Sequence, residues 1–410
     1  MDAYRVYLIL SFLGSFFFTL CFSVNMIYQA TVVGLNPLQL VLVGTTLEVV
    51  CFLFEIPTGI VADVKSRRLS IIIGYAMIGI GFVVEGSFPF FWAMLLSQVI
   101  WGIGSTFTSG ATEAWLADEL GEDRVGHAFV RGSQAGSLGG LVGVPVSVWI
   151  GQMDIAWPIV ISGCGMIGLC GFLLLAMKET GFQPVSRSKR MGTMLQTMAD
   201  ARTVLSGQWV LIFLMLTSLF WGLHSEGFDR LWTPHVIDNV GFPGWGLEPV
   251  VWFGIIQMVG RGLHFVGLDL LRRSVDMRRV TQVAHLLITN TALMTLLLVG
   301  FGLAQGFWLA AGLLLAFNLM RGLNGPLYDT WFNAQVRDSQ VRATLFSVRG
   351  QMNAMGQFVG GPIVGWIGLR LGLRWALVTA AMFLAPVAGC LMAALKWDKQ
   401  PLRQEELDPS

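Results

Sequence analysis

Charge is the scarcest property of this sequence. Only 12% of its 410 residues are Asp, Glu, Lys or Arg, where a soluble globular domain carries roughly 25%. Water is therefore not the main solvent of the chain. A net charge of +1 leaves no basic field for nucleic acid, and nucleic-acid binding is excluded. Cysteine is sparse as well: Cys21, Cys51, Cys164, Cys170 and Cys390 stand at no metal-ligand spacing and read as small apolar residues in helix contacts. There is no P-loop, no His-Glu-x-x-His and no pair of catalytic acids at a membrane face. No metal, cofactor or enzymatic activity is expected, and ATP-driven pumping is excluded. The five residues before the first apolar run and the lack of a small-residue cleavage site describe a retained helix rather than a signal peptide, so the chain is expected to begin at Met1.

Apolar residues are abundant: 54% of the chain, with a mean hydropathy of +0.67. They gather into runs of about 18 to 25 residues, the length a helix needs to cross roughly 30 Å of hydrocarbon, and they do not alternate as barrel strands do. Spans are predicted near 6–29, 39–61, 70–87, 90–116, 127–150, 156–178, 208–234, 248–271, 279–301, 306–329, 344–367 and 372–395. Most of the 26 Lys and Arg fall in one set of loops, among them Lys65, Arg67, Arg68, Arg272, Arg273 and Lys396. Basic short loops stay in the cytoplasm, which places both termini there. The fold class expected is an all-α membrane protein of twelve transmembrane helices, multi-pass in a cell membrane, bacterial inner or plasma membrane, and acting as a monomer.

The longest polar interruption divides the chain into an N-terminal six-helix bundle (1–178), a cytoplasmic linker (179–207), a C-terminal six-helix bundle (208–396) and a cytoplasmic tail (397–410). An internal repeat crosses that divide at an offset of 216 to 218. Glu113-Ala-Trp115 returns as Asp329-Thr-Trp331, and Val130-Arg131-Gly132 returns as Val348-Arg349-Gly350. Two pseudo-symmetric bundles follow from this. Glycine runs such as Gly132, Gly136, Gly139 and Gly143, or Gly356, Gly360 and Gly361, would let helix backbones approach closely. Pro145 and Pro362 are expected to bend the fifth and eleventh helices.

The loop after the second span reads Gly59-Ile-Val-Ala-Asp63-Val-Lys65-Ser-Arg67-Arg68. It resembles the signature loop of the major facilitator superfamily, matching at Gly59, Asp63, Arg67 and Arg68. Val64 stands where a base is usual, with Lys65 beside it, and Ser66 replaces the second glycine. The resemblance implies a secondary transporter working by alternating access, with this loop as a conformational gate. Asp63 would sit against the start of the eleventh helix near Ala343 and Thr344, where unpaired amides favour an anion. Glu55-Ile-Pro57-Thr-Gly59 and Ser109-Gly-Ala-Thr-Glu113-Ala are similar to the bacterial drug:proton antiporter branch of macrolide and tetracycline efflux proteins. That likeness implies protons and a small-molecule substrate as partners. The Gly-Gly-Pro expected of antiporters in the fifth span stands in the eleventh instead, at Gly360-Gly361-Pro362.

An ionisable group near the bilayer centre costs at least about 2.5 to 3.5 kcal/mol, so each is a site candidate. Glu48 and Glu55, seven apart on one helix face, and Glu113 on the fourth span are candidates for proton coupling: a carboxyl buried among apolar groups holds a proton near neutral pH. Permanent pairing of such a carboxylate with Arg131 is the competing expectation. Glu226 and Arg230 form an i,i+4 pair beside Asp229, suited to architecture or gating. Arg261, with His264 near it, and Asn318 with Arg321 put bases at middle depth, where they could counter Glu226 or clamp an anion. Asn25 and Trp101 join the substrate pathway, Trp101 with Phe107 lining an apolar cavity. Two functions follow: proton-coupled export of hydrophobic or amphiphilic compounds, or carriage of a metabolite, lipid or organic anion on buried arginines.

Overall fold

The structure, a computed structural model, describes residues 1–184, 208–336 and 339–398. Most of the predicted linker 179–207 and of the tail 397–410 lies outside the described residues. The described chain is helical throughout: α1 Ala3–Phe22, α2 Asn25–Thr31, α3 Pro37–Val64, α4 Arg67–Ser87, α5 Phe91–Thr108, α6 Ala111–Leu120, α7 Glu122–Gly151 and α8 Trp157–Ala176 precede the linker. After it come α9 Trp209–His235 with a π-helical turn at Val236–Val240, α10 Pro249–Ser274, α11 Val280–Leu303, α12 Phe307–Gln335, α13 Ser339–Leu371 and α14 Leu373–Asp398.

Among the described residues nine segments are long and apolar enough to cross a membrane. The predicted fourth, fifth and eleventh spans are present as α5 with α6, α7 and α13, which carry more glycine and polar residues. Two predicted spans are not single helices. The first breaks at Ser23-Val24, and the fourth breaks at Ser109-Gly110, where Gly110 adopts φ +67. Only glycine enters that left-handed region without steric cost. The third and fifth spans begin earlier than their apolar runs, at Arg67 and Glu122. There the first turn is polar and its free N–H groups are satisfied from outside the hydrocarbon. Pro145 and Pro362 lie inside α7 and α13, which run on through them.

The chain divides into two compact units. The first holds α1–α8 together with Phe242–Met258, and the second holds α9, its π-turn and the chain from Val259 onward. In the first, α7 packs on α1, α5 on α4, and α8 on both α4 and α1. In the second, α13 packs on α9, α12 on α11, and α14 on both α11 and α9. The same pairings recur in the same order, as the internal repeat requires. Glycine permits the tightest of them. A Cβ on Gly139 would stand 2.2 Å from the carbonyl oxygen of Phe12, and one on Gly360 would stand 2.2 Å from that of Leu223. Backbone contact at that distance admits hydrogen alone, so these glycines fix the α1–α7 and α9–α13 crossings.

The core is aromatic and aliphatic. Trp115 and Trp331, matched in the repeat, are both fully buried. Each donates its indole N–H to the end of its own unit's last helix region: Trp115 to the carbonyl of Lys178 (2.7 Å), Trp331 to Asp398 Oδ2 (3.3 Å).

Candidate functional site

Three helices of the second unit carry polar and aromatic residues three, four or seven apart, which places them on one face of each helix. On α9 these are Thr217, Ser218 and Trp221; on α12, Arg321, Asn324 and Tyr328; on α13, Phe346, Arg349 and Asn353. The stripes converge on a cavity of about 450 Å³, closed by Leu287 of α11 and Val387 and Leu391 of α14. Gly325 and Gly350 line it too, and a Cβ at either would meet open space, so the hollow exists partly because these positions lack side chains.

Two arginines face the cavity, and each is held by a carboxylate of a different helix. Arg321 grips Asp229 in a bidentate fork (2.5 and 2.7 Å) and stands over the Phe228 ring at 5.3 Å. Arg349 pairs with Asp329 and stacks on Tyr328 at 4.3 Å. Planar guanidinium groups suit both contacts, whereas an ammonium would satisfy neither as well. The hydroxyl of Tyr328 donates to the Leu214 carbonyl (2.5 Å), and Asn324 donates to Thr291 (3.3 Å). The lining therefore offers fixed cations whose charge is already balanced, with amide and hydroxyl groups between them.

The remaining predicted pathway residues fall elsewhere in this unit. Glu226 and Arg230 make the i,i+4 pair (2.9 Å) with Glu226 buried. Asp229 points to Arg321. Asn318 is half-buried. Arg261 is exposed and does not line the cavity; His264 lies against Gly322, so that a Cβ there would stand 2.4 Å from its ring. Arg349 was signalled only as part of the repeat. His224, fully buried with no hydrogen-bond partner for either ring nitrogen among the described residues, carried only one cue: imidazole inside an apolar run.

In the first unit the carboxylates depart from expectation. Glu55 and Glu113 are exposed and Glu48 is half-buried. Glu55 accepts from Ser109 (3.0 Å). Arg131 donates to Gln134 (3.2 Å) rather than pairing with Glu113. Among the described residues of this unit a fully buried carboxylate is Glu85, unflagged in the sequence because it stands close to the predicted end of its span. It accepts from Gln29 Nε2 (2.7 Å) and Ser97 (3.3 Å). Asn25 is buried, and Trp101 packs among Phe18, Phe22 and Phe82 with ring centroids 5.7 to 6.5 Å apart.

The signature loop is tied to its own unit at both ends. Arg67 donates to the Ala114 carbonyl (2.7 Å), pairs with Asp118 and lies 3.9 Å from Asp63. Ser66 resolves its departure from the family pattern: its backbone is extended (φ −175), its hydroxyl caps α4 by accepting from the Leu69 amide (3.0 Å), and it donates to Glu179 (2.5 Å). A serine N-cap supplies what a glycine cannot, so no tight glycine turn is needed. Arg68 donates its amide to Glu179 (3.0 Å) and its guanidinium to Leu174 (2.7 Å). Lys65 is exposed, and Gly59 has open space around it. The side chain of Ala343, half of the seat expected for Asp63, lies outside the described residues.

A cavity of buried, charge-balanced polar groups inside a helical membrane unit is what a solute carrier requires, and comparison with known proteins agrees. The chain is 24% identical over 359 residues to an uncharacterized MFS-type transporter, YxaM, of Bacillus subtilis (strain 168), covering 85% of each. Its fold matches a crystal structure of a variant of the nucleoside transporter NupG at a TM-score of 0.79 (17% identity, 96% of this chain and 100% of that one). It also matches a POT family transporter in complex with a thioalcohol-conjugated peptide at 0.68 (15% identity, 95% of each). Residues 8–340 match the sequence profile of the Major Facilitator Superfamily, and the chain belongs to that superfamily of multi-pass membrane transporters.

Proposed function

We propose that this secondary transporter carries a small polar solute, held in the second unit by Arg349 and Arg321. The observation that carries this reading is the 450 Å³ cavity with two carboxylate-held arginines in its wall. Charge balance suits a neutral or zwitterionic solute. It also suits a carboxylate that replaces Asp329 on Arg349, because the displaced Asp329 side chain is 47% exposed and can be left to solvent. A lipophilic cation gains nothing from such a wall. The fold neighbours, a nucleoside transporter and a transporter in complex with a peptide conjugate, handle solutes of this kind.

The test is uptake into proteoliposomes of uridine, a dipeptide, lactate and ethidium, each with and without an imposed proton gradient. Uptake of one of the first three is expected, falling at least about tenfold in Arg349→Gln, the loss of about 1.4 kcal/mol of binding. Movement of ethidium alone, unchanged in Arg349→Gln, would overturn the reading.

One observation favours proton-coupled export of hydrophobic compounds: the ring cluster of Phe18, Phe22, Phe82 and Trp101, in which Phe22 is 40% exposed. Proton coupling would then fall to Glu113, Glu55 or Glu48. Ethidium extrusion that collapses with a protonophore and in Glu113→Gln is the result that separates this route from the first.

A further inference from the structure

His224 is the least explained polar side chain in the second unit. Its relative exposure is 0%, and neither ring nitrogen has a hydrogen-bond partner among the described residues. Buried polar atoms are nearly always bonded, and an orphan of this kind calls for a cause. Nearby His235 shows the ordinary arrangement: equally buried, it has Asn239 Oδ1 at 3.1 Å from one nitrogen and the Phe301 carbonyl at 3.3 Å from the other.

The cause lies in what surrounds His224. Trp221, one turn earlier on α9, meets it edge-on at 5.6 Å between centroids, and Trp221 lines the cavity. Phe228, one turn later, lies 6.2 Å away beneath the Arg321 guanidinium, and Phe317 of α12 closes the far side at 6.0 Å. Trp221 thus touches both the cavity and the imidazole, whose donor and acceptor are used by none of the described residues. The charged groups nearest the imidazole, Arg321 and Asp229, already satisfy each other.

We propose that His224 is the floor of a latent subsite behind Trp221, and that the subsite selects solutes carrying a flat, hydrogen-bonding ring. When the indole turns aside, the cavity gains a slot with one aromatic wall, the rings of Phe228 and Phe317, which touch each other at 4.6 Å between centroids. A neutral imidazole offers one donor and one acceptor there. A planar heterocycle with a donor or acceptor on its edge stacks on that wall and meets one ring nitrogen; an aliphatic solute cannot stack. The ligand class rests on the polar-solute reading above, but the existence of the slot does not.

The experiment is diethyl pyrocarbonate labelling of the full chain in nanodiscs, with each histidine followed by mass spectrometry. Exposed His285 reports full reactivity and buried, bonded His235 reports a packed histidine. His224 is expected to react at least about tenfold faster than His235, because transient opening and not average burial sets the rate. It should react faster still in Trp221→Ala, with Trp221→Phe as the milder variant if the alanine fails to fold. Uracil should slow labelling of His224 and lactate should not. A His224 as inert as His235 in the wild type and in whichever Trp221 variant folds would overturn the subsite. Protection by lactate, or by neither solute, would overturn the ring class. Uptake of polar solutes is measured separately, so failure of the transport reading cannot be mistaken for failure of the subsite.

Discussion

Glu113 and Arg131 in the first unit correspond to Asp329 and Arg349 in the second, yet only the second set forms an ion pair. The difference begins in the backbone. Gly110 and Pro326 stand at the same place in the repeat. Gly110, at φ +67, ends α5 and starts a new helix at Ala111, so Glu113 falls in a fresh first turn and is exposed. Pro326 sits inside α12, which continues unbroken and aims Asp329 at Arg349. Matching letters therefore give matching places along the chain and different directions in space. Trp115 and Trp331, two residues beyond each acid, both stay buried and both donate to the end of their unit, one to a backbone carbonyl and the other to a carboxylate.

The tryptophans set the largest expected effect. Truncating either to alanine removes a fully buried indole and leaves a cavity, at a cost of about 3 to 5 kcal/mol. Trp115→Ala and Trp331→Ala should depress thermal stability in detergent by similar amounts, and each Trp→Phe, which loses chiefly one hydrogen bond, should cost about 1 kcal/mol. A large loss at one position and a small one at the other would end the claim that the two units share a keystone.

The ion pair comes next. Arg349→Gln should lower uptake at least about tenfold while costing stability only about 1 kcal/mol, since the Asp329 side chain is 47% exposed and the pair is partly screened. Arg131→Gln, whose partner is a glutamine in the same helix, should stay within about 0.5 kcal/mol of wild type. A double-mutant cycle of Arg349→Gln with Asp329→Asn isolates the coupling. Zero coupling there, or equal losses at both arginines, would mean that the repeat matters more than the pairing. The backbone cause is tested by Gly110→Ala, expected to cost about 1 to 2 kcal/mol at a left-handed residue. Pro326→Ala meets no such strain and should be neutral or stabilising.

These contrasts mark where the sequence could be read and where it could not. Helix positions, the repeat, the signature loop and the Glu226–Arg230 pair were legible, because run length and i,i+4 spacing are properties of one helix. The partners of Asp229 and Arg349 were not, because the rotation of α9, α12 and α13 against one another decides them. The break at Gly110 was hidden because Thr108, Ser109 and Thr112 around it are small residues that a membrane helix also carries. Glu85 and His224 were hidden in a different way: nothing local distinguishes a buried polar residue held by a neighbouring helix from one left without a partner.

The smallest effect belongs to a strap with no counterpart described in the second unit. After α8 the chain turns back along α6, and Glu119, beyond the fourth span, accepts from the Thr180 amide (2.5 Å), the Thr180 hydroxyl (2.7 Å) and the Gly181 amide (2.7 Å). Gly181 fits because a Cβ there would stand 2.2 Å from the Asp118 carbonyl. Partial burial raises the Glu119 carboxyl, but these three donors outweigh it and leave it below its ordinary 4.5. A carboxyl lowered on folding stabilises the folded chain above its unfolded value, and that contribution fades as pH falls through the lowered one. Glu119→Gln should therefore cost little at pH 7 and nothing once the pH has fallen below the lowered value, where the wild-type carboxyl is protonated as well. Melting curves of the two proteins that run parallel from pH 7 down to pH 3 would show that Glu119 is a neutral spacer, and that the strap is held by Gly181 alone.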